Sequence, residues 1–189
     1  INTDKIDYNG ELSINPFDLN LNININNIKI FKILNVNSIL TELIKTKLLF
    51  NENISINTSL TTNSPSQQKL FHKTIINFAI NNGKIKLDKT KLFNEKIGTL
   101  ELDNSNFFLK NERLILNTDI IVNIKNNDKL FSLLQTSKRF RKPVKKILVN
   151  LNYDFLSDQI EFNNFKIDNK KASDKLLYII ERFGDNSSN

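Results

Sequence analysis

With 189 residues, 39% of them hydrophobic, and a formal net charge of +7, the chain is long enough for one domain with a real core and too apolar for a disordered tail. The absence of cysteine excludes disulfide frameworks, thiol catalysis, zinc ribbons and iron–sulfur centres within it. There is no methionine either, position 1 being Ile1, so the chain is expected to be a segment of a longer protein, and targeting signals of the intact molecule are not readable from it. Asn, Ile and Lys are heavily used; they share A/T-rich codons, and a biased genome is the simplest account of the skew and of part of the positive charge.

Before Pro16 the even positions Leu12 and Ile14 are apolar. After it, "FDLNLNININN" puts Phe17, Leu19, Leu21, Ile23 and Ile25 at odd positions with Asp or Asn between them. This is a strand with one apolar and one wet face. At nine or ten residues it spans about 30 Å, well beyond the usual five or six residues. The parity switches at Pro16 and again after Asn26, towards Ile28 and Ile30, predict bends or bulges. The stretch "NVNSILTELIKTKLLF" predicts a helix of about three turns, with Ile39, Leu40, Leu43, Ile44 and Leu48 at helical spacing and Asn37 or Ser38 as its cap.

Strand patterning resumes with Ile54, Ile56, Thr58 and Leu60, followed by a polar loop around Pro65, read as an insertion within one continuous sheet. Ile76, Phe78 and Ile80 alternate up to Asn81-Asn82-Gly83, a hairpin signal, and Ile85 and Leu87 mark the return. Short runs follow at Leu100, Leu102 and at Phe107, Leu109; then Leu114, Leu116, Ile120, Val122 and Ile124 form another long strand. "NNDKLFSLLQTSKRF" predicts a second helix with Leu130, Phe131 and Leu134 on one side, ended by Pro143. Val149, Leu151, Tyr153 and Phe155 alternate next, and Ile160, Phe162, Phe165 and Ile167 return. A third helix is predicted from Ser173 or Asp174, with a disordered polar tail over 184–189. The expectation is a single unit over 1–189, mainly β in an α+β sense: nine or ten strands in an antiparallel meander with about three short helices.

No constellation of catalytic residues emerges. His72 is the only histidine and has no Ser, Cys or second His to work with. The carboxylates, among them Asp103, Asp119, Asp154 and Asp168, follow no calcium-loop spacing, so the chain is read as a non-enzyme without metal or cofactor. The run "KRFRKPVKK" carries Lys138, Arg139, Arg141, Lys142, Lys145 and Lys146 around Phe140. It reads as a patch for anionic headgroups, or as a solvated corner whose cations complement a helix C-terminus. Nucleic acid would want several aromatic platforms on a basic sheet, which Phe140 alone does not supply.

Three short helices cannot cover so many long strands, and an apolar face without a protein cover calls for another ligand, lipid acyl chains above all. The candidate lipid-contacting residues are Leu19, Leu21, Ile23, Ile25, Ile76, Phe78, Ile80, Leu114, Leu116, Ile120, Val122, Ile124, Val149, Leu151, Tyr153 and Phe155.

The stretch "NGKIKLDKTKLFNEKIGTLELDNSNFFLKNERLILNTDIIVNI", with "FNNFKIDN" further on, resembles the AsmA-like family of bacterial envelope proteins, which includes the TamB and YhdP groups. The shared rhythm is a strand ending in NGKI, a G-x-L-x-L strand, a short S-x-F-F-L strand and a long L-x-L-x-x-D-I strand, over roughly 10–169. The resemblance implies a repeating β-groove: a curved, open sheet whose concave apolar face carries phospholipid tails between two membranes. It further implies a periplasmic segment anchored to the inner membrane elsewhere in the intact protein, serving lipid transfer and outer-membrane maintenance. The rival readings are a surface or adhesive β-sandwich packed on itself, and a closed lipid-binding cup.

Overall fold

The structure, a computed structural model, describes residues 6–26, 46, 48–63, 70–111, 113–155 and 157–173. These form one 11-stranded sheet. It starts with β1 (Ile6–Ile14) and β2 (Phe17–Asn26), a hairpin in which Ile14 faces Phe17 and Ile6 faces Ile25. The even-to-odd switch at Pro16 is therefore a two-residue turn. Partners i and i+3 share a face, so the switch keeps all the apolar side chains of both strands on one side.

β3 (Ile54–Asn63) pairs with β2 in parallel, which corrects the expectation of a wholly antiparallel meander. The 27–53 connection makes this possible, since a parallel pair needs a crossover of a dozen residues or more. From β3 onward every pairing is antiparallel, through β4 (Lys73–Asn81), β5 (Lys84–Lys86), β6 (Thr90–Asn94), β7 (Gly98–Lys110), β8 (Arg113–Ile124), β9 (Lys146–Asp154), β10 (Gln159–Ile167) and β11 (Lys170–Lys171). The short β5 and β6 share the space between β4 and β7, one towards each end. The expected hairpin at Asn82-Gly83 is present, with φ of 51° and 68° at the two turn residues. Such angles suit a type I′ turn and favour Asn-Gly.

The two short runs around Leu100 and Phe107 are one strand, the 13-residue β7. Its register against β8 shifts between Asp103 and Asn106, where Asn104 takes a φ of 49°. The bulge inserts a residue, so apolar side chains move from even to odd positions without leaving their face. The same device between Phe162 and Asn164 reconciles Phe162 with Phe165 in β10.

One α-helix is described, α1 (Asn127–Leu133), where the Asn126 side chain accepts the Lys129 N–H at 3.1 Å. It is shorter than its sequence pattern suggests, because Gln135 enters the left-handed region at φ 50° and ends it. A 3-10 turn, Lys138–Phe140, follows. The expected helix over 38–48 lies outside the described residues except at Thr46, a turn residue, and Leu48, part of a 3-10 turn, Leu48–Phe50. The expected helix after Ser173 and the tail over 184–189 lie outside them too.

Candidate functional site: one apolar face and a basic corner

The ladders settle which side chains share a face. One row crosses the whole sheet: Leu12, Leu19, Ile56, Ile80, Ile85, Phe107, Leu116, Tyr153 and Ile160 are successive partners from β1 to β10. A second row, nearer the other ends of the strands, runs Ile25, Thr62, Thr74, Leu92, Leu100, Val122, Ile147, Ile167. Between them Ile23 faces Leu60 and then Ile76, Leu21 reaches Phe78 through Thr58, and Ile120 faces Val149. Leu114 opposes Leu109, Ile124 opposes Gly98, and Leu151 opposes Thr118. Phe155 continues the alternation of β9 and packs on the rings of Tyr153 at 4.6 Å and Phe107 at 5.7 Å. Every candidate lipid-contacting residue thus belongs to one face of one sheet.

That face is not uniform along the strands. At one end Leu49, Ile80, Ile85, Phe107, Leu114 and Leu116 form a buried cluster, with Phe50, Ile54, Ile56 and Phe155 packed around it. Each such side chain contributes about 1.5–3 kcal/mol on burial. The Leu48–Phe50 turn therefore fills this end with protein. Ile76, Val149 and Leu151 are also buried, whereas Leu19, Leu21, Ile23, Ile25, Phe78, Ile120, Val122, Ile124, Tyr153 and Phe155 are half-buried. On β1 the same face is open to solvent: Tyr8 is 78% and Ile14 81% exposed.

The opposite face explains what the asparagines do. Asn57 donates to Asn20 at 3.2 Å and Asn81 to Asn57 at 3.4 Å, across β2, β3 and β4. Further along, Asn117 donates to Asn152 at 2.8 Å, Asn150 to Asp119 at 2.8 Å, and Asn152 to Glu161 at 3.1 Å. Side-chain amides carry both donors and an acceptor and reach further than a hydroxyl, so they chain across strands in a way that Lys, which only donates, cannot. A shallow cavity of about 280 Å³ on this side is lined by Asn20, Asn22, Asn57, Ser59, Asn77 and Lys86 among others. Three of its amides are already engaged, Asn57 with Asn20 and Asn77 with the Lys89 carbonyl.

The basic residues split into two sets. Lys138, Arg139, Arg141 and Lys142 are exposed on the corner between α1 and β9. The Arg139 guanidinium lies 4.6 Å from the Phe140 ring, and that of Arg141 lies 5.9 Å from the Phe131 ring while its Nε donates to the Thr136 carbonyl. Lys145 and Lys146 are fixed by their backbones, both N–H groups donating to Asp168 at 2.8 Å. Those hydrogen bonds, Lys146 first and then Lys145, hold the Asp168 carboxyl below the usual carboxylate range. Lys146 faces Asn123 and so belongs to the polar face.

Sequence periodicity placed Leu134 with Leu130 and Phe131 on one side of a longer helix, and the helix ends before it. Phe131 is buried, but Leu134 caps the shortened helix and is 63% exposed, with Leu133 beside it. His72 sits at the sheet's rim with both ring nitrogens turned to Glu95, 3.3 Å from its carboxylate and accepting its N–H at 3.2 Å. Among the described residues no three metal-ligating side chains converge, and no helix is long and apolar enough to cross a membrane. Comparisons of the chain with protein-family models, with curated proteins and with solved structures found no match.

Proposed function

We propose that this chain is a non-catalytic segment of an AsmA-like, envelope-spanning protein whose apolar sheet face shields phospholipid acyl chains from water. The sheet curves into an open groove. Tails lie along Leu21, Ile23, Ile25, Ile120, Val122 and Ile124, and the charged headgroup stays near the basic corner. The protein works in the periplasm, anchored to the inner membrane by parts outside this chain, in lipid transfer that maintains the outer membrane. The observation that carries this reading is that these six half-buried side chains share one face of one sheet, away from the end that Leu49 and Phe50 fill. A strand such as β8, 12 residues long, spans about 40 Å, enough for more than one leaflet's acyl chains. Removing a chain from water is worth about 0.8 kcal/mol per methylene, so shielding needs no catalytic group, only continuity.

Native mass spectrometry and lipid extraction of the chain purified from bacteria test the proposal. Co-purified phospholipid is expected, and it is lost in Ile23→Asp and Ile120→Asp but kept in Asn22→Asp on the polar face, with unchanged circular dichroism. A lipid-free protein with a cooperative melt overturns the proposal and leaves a self-packed β-sandwich.

A further inference from the structure

The corner between α1 and β9 combines two features, of which the groove reading uses only the charge. The first is charge without partners. From Lys129 to Tyr153 there is no Asp or Glu, and the stretch includes Lys138, Arg139, Arg141 and Lys142. Among the described residues these side chains form no ion pair, although Lys86, Lys91 and Arg113 each find a carboxylate elsewhere on the sheet. The second is exposed apolar bulk in the same place. Leu133, Leu134 and Phe140 are 50%, 63% and 64% exposed. Together they put exposed apolar side chains and cations on one short stretch, 133–142.

We infer that this corner docks the protein on the surface of an anionic lipid bilayer. Lys138, Lys142 and the arginines meet the lipid phosphates, and Leu133, Leu134 and Phe140 enter the boundary between headgroups and acyl chains. The chemistry matches on both counts. Juxtamembrane cations gain from the negative surface potential, and exposed Leu and Phe gain only where an apolar layer is within reach. Stacking of Arg139 on Phe140 lets the ring be immersed while the guanidinium stays at the phosphate level. A nucleic acid would use the cations but leaves Leu133 and Leu134 unrewarded. The position is apt as well. The corner joins the end of β8 at Ile124 to the start of β9 at Lys146, while the filled end of the apolar face lies at Leu114, at the far end of β8. This docking stands whether or not a lipid occupies the face, so Ile23→Asp is expected to leave it intact.

Flotation of the chain with phosphatidylcholine vesicles, with and without one third phosphatidylglycerol, tests it. Binding is expected on the anionic vesicles only, weakening as salt is raised. Lys138→Glu/Lys142→Glu and Leu134→Ser/Phe140→Ser are each expected to weaken it tenfold or more. Lys84→Glu/Lys110→Glu, an equal charge change on exposed strand-end lysines, is expected to change it less than threefold. Absence of binding, equal loss in both charge pairs, or no effect of the Leu134/Phe140 pair each overturns the inference, the last two by reducing the contact to net charge. All variants alter exposed side chains, and unchanged melting temperatures verify that they fold.

Discussion

Ser105 donates twice to Asp88, through its backbone N–H at 2.5 Å and its hydroxyl at 2.7 Å, and its Oγ also accepts the Leu87 N–H. Ser105 is 1% exposed, while Asp88 is half-buried and keeps one side towards Lys86. It sits in the bulge of β7 and ties that bulge to the chain between β5 and β6. The break in the ladder is thereby closed by side-chain hydrogen bonds where strand partners are lacking.

Ser105→Ala removes the hydroxyl and leaves the Leu87 N–H without its acceptor in a buried place. The expected loss is about 1–3 kcal/mol of stability in urea denaturation, with an unchanged m-value. A loss below about 0.3 kcal/mol would mean that water replaces the hydroxyl, and that the backbone N–H to Asp88 suffices to hold the bulge.

The amides of the polar face are expected to act as pairs. A double-mutant cycle on Asn117→Ala and Asn152→Ala, whose side chains meet at 2.8 Å, should return a coupling of about 0.5–1 kcal/mol. Zero coupling would reduce the ladder to solvated asparagines that only share a surface.

Tyr153 gives the fold an alkaline limit. Burial, and next the hydrogen bond to Asp158, push its hydroxyl from 10.0 up to about 12. Between these values the folded chain keeps a proton that the unfolded chain has lost. Stability contributed by this group is therefore fully present below pH 10 and disappears as pH rises towards 12. In urea titrations at pH 9.5 and 11.5, Tyr153→Phe is expected to lose less stability than the parent, because its ring still packs on Phe155 and has nothing to titrate. Parallel losses in the two proteins would show that Tyr153 ionises as it does in water.

Most of the sheet could be read from parity alone, and the misreadings have one physical origin. Ile54 to Leu60, Ile76 to Ile80 and Leu114 to Ile124 alternate cleanly because one side of each strand is buried and the other wet, and a one-residue slip would exchange them. Parity says nothing about who pairs with whom. The parallel join of β2 and β3 was invisible because an alternating strand looks the same in either direction. Leu102 and Phe107 read as two strands because a bulge and a turn both flip parity, and only Asn104's backbone tells them apart. The helix after Asn126 was read too long because helical spacing does not announce where a helix stops. The asparagine network was hidden behind composition: an amide's value lies in the partner opposite, which the linear sequence does not display.

The parallel join also bears on how the chain acquires its shape. From β3 to β10, apart from the α1 corner, successive strands are joined by connections of nine residues or fewer, so that part can zip up step by step. The hairpin of β1 and β2 cannot join in this way. Asn20 and Asn57 are 37 positions apart, as are Asn26 and Asn63, and the same span separates every partner along that ladder. Closing such a loop costs on the order of 2 kcal/mol more than closing a four-residue turn, and none of it is returned until the first β2–β3 contacts form. The first hairpin is thus the last piece to be laid down. It also carries the open, apolar margin of the sheet, which is therefore the last part to be completed.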